Sequence, residues 1–381
     1  DPHKIAALPK IASGAVRFFR ARPFLTLFPK EGYIMRYVSL LLGIVVMLAF
    51  IGCGDDPVSS APEEGIASPS AKLTISSNKA GGYPGEMALR RLNQLGTDAF
   101  NNHDLAQTVA LRTDDVITDY APLAAPLEGK AGAEGFYGTL FTPASPDVEP
   151  DIHIDMERQF ISGNMVVNET LIWGTHTVEW AGIPPTGNPY SLPHLSIYEY
   201  EGKKDKKETI FMDNVTLFTQ FGVMPAGELP PLVPSIALPD PEPLGLSPVE
   251  AEIESIARFN SHDLGNWIKT YHTDAVVKYN TIGMVPLDRS AMVALNELFI
   301  LGFSDLKLEV VRVVDLGEGG VLTETTVGGT HDGPYFGIPA SGNFSGNRLG
   351  WVAHHDADGL VTEINFYYDE MITLVNIGAV Q

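Results

Sequence analysis

The chain has 381 residues, 47 acidic and 25 basic side chains, a net charge of −22 and a single cysteine. So acidic a chain repels phosphate backbones, which argues against nucleic acid as a partner. One cysteine allows neither an internal disulfide nor a cysteine-rich zinc site. The length predicts two domains or more.

The N-terminal part of the chain has the pattern of an export signal. Residue 1 is not methionine, and Met35 is the better start, so residues 1–34 are interpreted as an upstream extension. Behind Met35 a basic residue precedes an uncharged apolar run, residues 38–51, which ends on small residues. This pattern predicts a secretory signal.

The position of the cysteine makes this prediction more specific. Phe50-Ile51-Gly52-Cys53 resembles a bacterial lipoprotein signal, in which the cysteine is lipidated and becomes the new N-terminus. Residues 35–53 are therefore predicted to be a lipoprotein signal. A transmembrane anchor is the alternative, because the apolar run is nearly long enough to span a bilayer.

Lipidation of Cys53 would place the protein in the bacterial cell envelope, held to the membrane by lipid and facing the periplasm or exterior. Loss of the preceding residues removes seven basic and two acidic side chains, which takes the net charge from −22 to −27. Anionic lipid head groups do not attract so acidic a protein, so the acyl chains must supply its affinity for the membrane. Residues 54–84, rich in Ser, Pro, Gly and Ala, predict a flexible tether.

The rest of the sequence contains one unit twice. Phe-Asn-Asn-His-Asp-Leu at 100–105 recurs as Phe-Asn-Ser-His-Asp-Leu 159 positions later, and Asp213 recurs as Asp369 156 positions later. So steady an offset indicates a duplication. The predicted boundaries are residues 85–225 for domain one, 226–246 for a proline-rich linker and 247–381 for domain two.

Each copy begins with helical patterns and continues with strand patterns. Ser247 to Glu250 supply an N-cap, a proline in the first turn and a capping-box glutamate. Farther along copy one, Ile152, Ile154 and Met156 alternate with polar residues, as in a strand. Helices followed by strands predict an α+β fold, in which helices cover one face of a curved, mostly antiparallel sheet.

Three segments of copy one carry a family resemblance. They are Gly-Thr-His-Thr at 174–177, Trp-Ala-Gly-Ile-Pro-Pro-Thr-Gly at 180–187, and a strand ending at Asp213 with Leu217 behind it. These segments resemble the SnoaL-like polyketide cyclase or ester cyclase family of the nuclear transport factor 2-like superfamily. The resemblance implies two tandem cone-shaped α+β barrels, and copy two matches more loosely.

In that family the aspartate at the position of Asp213 acts as acid and base in an intramolecular aldol cyclisation, so the resemblance implies no cofactor and no metal. A carboxyl group in an apolar cavity has a raised pKa and can exchange a proton with carbon, while a histidine or tyrosine could stabilise the oxyanion. The candidate catalytic residues are Asp213, His176, Tyr120, Asp369 and His331, and the candidate ligand-binding residues are Glu169, Trp173, Tyr279 and Glu324.

Each candidate also has a purely structural interpretation. Asp213 and Asp369 can cap the C-terminal helices, the two histidines can be hydrogen-bonded core residues, and the tyrosines can form walls. Glu169 lies seven residues before His176, and this odd spacing puts the two on opposite faces of an unbroken strand. His-His-Asp at 354–356 lacks the spacing of a metal site.

Two functions remain open from the sequence. In the first, an envelope lipoprotein binds a small apolar carbonyl compound, with or without cofactor-free cyclase, isomerase or hydrolase activity. In the second, the chain is a non-catalytic interaction module in which the two domains form an intramolecular pseudo-dimer.

Overall fold

The computed structural model describes residues 74–76, 85–145, 147–227, 229–281 and 286–380. The predicted upstream extension, the signal with Cys53 and most of the predicted tether lie outside these residues. Thr74–Ser76 fall within the predicted tether and form a strand, β1.

The first half has helices α1 (Glu86–Asn101), α2 (Leu105–Ala110), α3 (Gly129–Phe141) and α4 (Asn214–Gln220). Its strands are β2 (Arg112–Tyr120), β3 (Leu127–Glu128), β4 (His153–Ser162), β5 (Met165–Thr175), β6 (Pro189–Glu201) and β7 (Lys204–Phe211).

The second half repeats this order with helices α5 (Pro248–Phe259), α6 (Leu264–Trp267), α7 (Arg289–Gly302) and α8 (Glu370–Asn376), and a 3₁₀ turn (Ile268–Thr270). Its strands are β8 (Tyr271–Tyr279), β9 (Lys307–Gly317), β10 (Gly320–Thr330), β11 (Phe344–His355) and β12 (Val361–Tyr368).

The chain forms two mostly antiparallel six-stranded sheets, one from strands of the first half and one from the five strands of the second half together with β1. The strand orders are β3-β2-β7-β6-β5-β4 and β1-β9-β10-β11-β12-β8, with parallel pairing only between β2 and β7, β8 and β12, and β1 and β9. The predicted α+β class is confirmed. Within the described residues, β3 and β4 lie at opposite edges of the first sheet, so it is open rather than closed into a barrel.

The repeated Phe-Asn-x-His-Asp-Leu segment attaches the first helix of each copy to the sheet. In copy one the Asn101 side chain bonds both the backbone N–H and the C=O of Ile154, and in copy two Asn260 does the same with Leu308. The aspartates of the two segments, Asp104 and Asp263, each cap the next short helix. The conspicuous repeat is therefore structural.

The strands of the first sheet bury both faces. Along β5, Asn168, Thr170 and Ile172 face a cavity beneath the helices. The alternate residues Met165 and Val167 belong to an apolar cluster that also contains residues of the second half. The remaining members of this cluster are Ala121, Leu195, Ile197, Phe211, Val314, Leu316, Leu322, Val352 and Tyr367.

The predicted linker lies along the second half. Leu229, Leu232 and Leu238 pack against its core. The backbone N–H of Glu242 donates to Lys269, 2.9 Å from its carbonyl oxygen. These contacts fix the linker to one copy rather than leaving it as a free spacer.

Candidate functional site

Asp213 caps a helix in each half of the molecule. Its Oδ2 accepts a hydrogen bond from the Thr216 backbone N–H at 2.8 Å, within its own helix α4. Its Oδ1 accepts one from the backbone N–H of Glu370 at 3.0 Å, at the start of α8 in the other half. The carboxylate is thus engaged by both helix N-termini, and it could take up a substrate proton only by giving up these bonds.

Asp369 makes the reciprocal arrangement. Its Oδ1 accepts from Met371 in its own helix at 3.1 Å and from the backbone N–H of Asn214 at 2.9 Å, and its Oδ2 accepts from the Asn214 side chain at 2.8 Å. Burial, and then the nearby charge of Asp213, raise the pKa of Asp369 to about 7. This carboxyl group therefore changes protonation near neutral pH.

Tyr120 reaches Asp369 through Asn214. The Tyr120 hydroxyl donates to Asn214 Oδ1 at 3.0 Å, and Asn214 Nδ2 donates to Asp369. The structure therefore brings together a predicted tyrosine from copy one and a predicted aspartate from copy two. Their connecting residue, Asn214, was not predicted.

His176 and His331 lie elsewhere, each holding the loop that follows its strand. His176 Nδ1 accepts from the Thr186 backbone N–H at 3.2 Å, and its ring stacks on Phe221 with centroids 3.5 Å apart. His331 Nδ1 likewise accepts from the Ser341 N–H at 3.2 Å. Burial lowers the pKa of His176 to about 4, so this ring is neutral at physiological pH.

Glu169 and Glu324 point towards the opposite half of the chain. Glu169 Oε1 accepts from Asn365 at 2.7 Å and from the Tyr367 hydroxyl at 2.9 Å. Glu324 pairs with Arg312, whose other nitrogen bonds Glu199 of copy one at 2.7 Å. Both glutamates therefore belong to contacts between the halves.

Trp173 lies at the surface of copy one. It is 37% exposed, and its indole N–H donates to Asp155 at 2.8 Å. It lines none of the three cavities described below.

The cavity of copy one is small and has charged residues in its lining. Its volume is about 70 Å³, and Tyr120 lines it. Arg112 pairs with Glu208 at 2.7 Å, and Tyr137 also bonds Glu208. Burial raises the pKa of Asp205 to about 8, and the charge of Arg112 opposes the shift.

The cavity of copy two is larger, about 110 Å³, and mostly aromatic. Tyr279 lines it, stacked on Phe366 and bonded by Asn296 at 3.2 Å. Further wall residues are Phe259, Trp267, Phe299, Phe303, Tyr335, Trp351 and Tyr368.

Two carboxyl groups line this aromatic cavity: that of Glu252, which accepts from the Trp351 indole N–H and lies 3.2 Å from His355 Nε2, and that of Glu370. Tyr335 donates to Glu370 Oε1 at 2.7 Å, and Oε2 is buried without a hydrogen-bond partner in the described ranges. Burial raises the pKa of Glu370 to about 8; hydrogen bonding with Tyr335 and Tyr368 opposes this, and the charges of Asp213 and Asp369 add to it. The neutral acid therefore predominates at pH 7.

Sequence reasoning missed Glu370. It directly follows Asp369, and its counterpart 156 positions earlier is Asn214, a neutral residue. An acidic residue that replaces an amide in only one copy of a duplicated site was the available signal.

A third, open cavity of about 1160 Å³ lies between the halves and is lined by both. No group of three or more His, Cys, Asp or Glu side chains in the described part of the chain could hold a metal ion. Among the helices of that part, none is both long and apolar enough to cross a membrane.

A family model for SnoaL-like polyketide cyclase matches residues 90–221 and 253–372, which covers both copies. No curated protein matches the chain.

Solved structures match one copy at a time. A Jannaschia sp. CCS1 protein, a candidate SnoaL-like polyketide cyclase, is 17% identical with a TM-score of 0.34; the match covers 39% of this chain and 100% of that one. The candidate hydroxylase AclR from Streptomyces galilaeus is 27% identical, with coverages of 35% and 97% and a TM-score of 0.32. The candidate polyketide cyclase IdmH from Streptomyces antibioticus is 23% identical, with coverages of 35% and 99% and a TM-score of 0.30.

Proposed function

Because the chain belongs to the SnoaL-like polyketide cyclase family, with two matching regions in tandem, we propose that it binds a small apolar compound that carries a carbonyl group. The observation that supports this most is the neutral carboxyl group of Glu370 in the aromatic cavity of copy two. Its Oε1 accepts from Tyr335, and its buried Oε2 makes no hydrogen bond of standard geometry in the described residues, so the proton of the neutral acid is proposed to lie on Oε2 and to need an acceptor. A ligand carbonyl oxygen would supply that acceptor.

The size of the cavity limits the ligand to a small ring or a short chain. An apolar cavity of about 150 Å³ can hold benzene, and this cavity measures about 110 Å³. Cyclopentanone is a suitable test ligand, and cyclopentane is its matched control without the carbonyl group.

We expect Glu370→Leu to weaken cyclopentanone binding about tenfold, because one hydrogen bond in a dry site is lost. Cyclopentane binding should change by less than about twofold, and Glu370→Gln, which retains a donor, should bind the ketone nearly as well as the wild type. Ligand-observed NMR titrations measure all three. Equal losses for ketone and hydrocarbon, or no loss for either, would contradict the proposed role of Glu370.

A second candidate function, cofactor-free proton transfer, is favoured by Asp369. Its pKa of about 7 suits acid–base catalysis, and Asn214 links it to the hydroxyl group of Tyr120. Exchange of α-hydrogens of the bicyclic ketone 2-tetralone in D₂O tests this. We expect exchange to accelerate as pH rises through 7 and to fall to the buffer rate in Asp369→Asn.

The proposal places this binding activity in the bacterial cell envelope, with the chain anchored through lipid on Cys53. The support is the apolar run of residues 38–51, which only Gly52 separates from Cys53. Mass spectrometry of the N-terminal peptide should find a diacylglyceryl group on this cysteine. Cys53→Ser should leave the membrane fraction, and retention there without lipid would favour the transmembrane anchor.

The proposal also includes an intramolecular pseudo-dimer of the two copies. The reciprocal caps of Asp213 and Asp369, the shared apolar cluster and the ion pair of Arg348 with Asp119 at 2.6 Å support this. Solution scattering should give a radius of gyration of about 19 Å for a compact body of some 300 residues. A two-lobed profile with a larger radius would contradict docking.

A further inference from the structure

We propose that the open cavity between the two halves, here called the groove, is a second binding site, for a neutral lipid-sized apolar molecule. Its volume of about 1160 Å³ is roughly ten times that of the copy-two cavity. Sites for drug-sized ligands measure about 300–1,000 Å³. The groove thus accepts molecules that are too large for either smaller cavity.

The walls of the groove are apolar and come from both copies. Phe136, Trp180 and Phe218 lie on the copy-one side, and Phe344 and Val375 lie on the copy-two side. Phe344 is 66% exposed and Val375 is 46% exposed. Large apolar side chains left open to water around one concave site are typical of a binding surface.

A small group of polar residues in the lining of the groove gives the ligand a defined orientation. Tyr120, Asn214 and Asp369 all line the groove and are joined by hydrogen bonds. A hydroxyl or carbonyl group at one end of an apolar molecule can exchange hydrogen bonds with this chain of donors and acceptors.

The charges around the groove favour a neutral ligand over an anionic one. Asp305 and Glu309 line it together with Lys307. Among the residues that the structure describes, the other cation in its lining is Arg348, whose guanidinium is bound by both oxygens of Asp119, at 2.6 and 2.9 Å. An anionic head group would therefore meet buried Asp369 and the overall acidity of the chain without a free arginine.

The direction of β1 places the groove on the side from which the tether arrives. Thr74 pairs with Arg312 in parallel register, so the chain enters β1 from the end of β9 where Lys307 and Glu309 line the groove. If Cys53 is lipidated as proposed, the chain is held at a membrane, which is a source of neutral apolar molecules. Only this argument about the membrane depends on the proposed lipid anchor at Cys53.

Carbene photolabelling of the intact lipoprotein in phosphatidylethanolamine nanodiscs tests the inference. The label is 3-trifluoromethyl-3-phenyldiazirine, which is neutral and larger than benzene, and its 4-carboxylate is the anionic comparison. We expect the neutral reagent to label peptides that contain Phe344 and residues 371–375, at least fivefold more than the carboxylate does.

Two matched variants decide whether this labelling reports the groove. Val375→Arg introduces a charge into the groove, whereas Val311→Arg introduces it on β9 at a position that is 47% exposed and does not line the groove. We expect Val375→Arg to reduce the labelling at least fivefold and Val311→Arg to leave it unchanged. Equal labelling of Val375→Arg and wild type would overturn the proposal, and equal labelling by the carboxylate would overturn the neutral ligand class.

Glu370→Leu should leave the labelling of the groove intact. Failure of the proposed copy-two site is therefore distinguished from failure of the proposed groove site.

Discussion

Three carboxyl groups, those of Asp213, Asp369 and Glu370, meet where the C-terminal helices of the two copies begin. Asp213 and Asp369 accept helix amide protons across the contact, while Glu370 turns its carboxyl group into the cavity of copy two. So many negative charges cannot all persist in one dry site. Neutral Glu370 is the consequence with the clearest bearing on ligand binding.

Because the pKa of Glu370 is raised, ionisation of this residue destabilises the folded chain at high pH. The folded chain holds the proton more tightly than the unfolded chain does, so this stabilising contribution is complete below pH 4.5. It is lost as pH rises through about 8. We expect Glu370→Gln, which mimics the neutral acid, to be more stable than wild type at pH 8 by roughly 2–4 kcal/mol.

Urea unfolding at pH 4 and pH 8 measures this effect. At pH 4 the variant and the wild type should have similar free energies of unfolding. Glu201→Gln, at an exposed position at the end of β6, is the control and should have no effect at either pH. A Glu370→Gln variant that is no more stable than wild type at pH 8 would show that Glu370 is ionised there at little cost.

At the scale of single elements, the two copies use the same attachment of helix to sheet. Asn101 and Asn260 each satisfy one backbone N–H and one C=O of a strand. We expect Asn260→Ala to lower the free energy of unfolding by about 1–3 kcal/mol, because a partly buried donor and acceptor lose their partner. Asn101→Ala should cost a similar amount, and Asn102→Ala, at an exposed position, should cost much less. Urea unfolding of the three variants tests this, and equal effects at all three positions would contradict it.

Features that depend only on residues close together in the sequence could be predicted. The capping box at Ser247 and the caps at Asp104 and Asp263 depend only on neighbouring residues, and the structure has them. The odd spacing of Glu169 and His176 also agrees with their different surroundings. Contacts between residues some 155 positions apart, such as Asn214 with Asp369, depend on docking that no local pattern encodes. Glu370 was missed for a different reason, because its only signal was the replacement of the amide of Asn214 by an acid in one copy.

For the whole molecule, the account depends on how closely the two sheets approach. A Cβ atom added at Gly350 would lie 2.9 Å from Phe211 and 3.0 Å from Leu195, both in the other copy. We expect Gly350→Ala to destabilise the chain by about 1–3 kcal/mol through overpacking, whereas Gly135→Ala, in a helix and with open space around it, should be neutral or stabilising.

Combining Gly350→Ala with Phe211→Leu tests docking directly. If the sheets are in contact, the smaller side chain relieves the clash, and the double variant should be more stable than the sum of the single effects by at least about 0.5 kcal/mol. Additive effects in urea unfolding would mean that the copies do not touch at Gly350.

The central claim is that Glu370 binds the carbonyl group of a small apolar ligand in copy two. A crystal structure of the chain with cyclopentanone tests it most directly. The account predicts the ring between the aromatic walls of that cavity, with its oxygen about 2.5–3.0 Å from Glu370 Oε2. A ring bound with its oxygen directed away from Glu370, or an empty copy-two cavity at saturating ketone, would contradict the account.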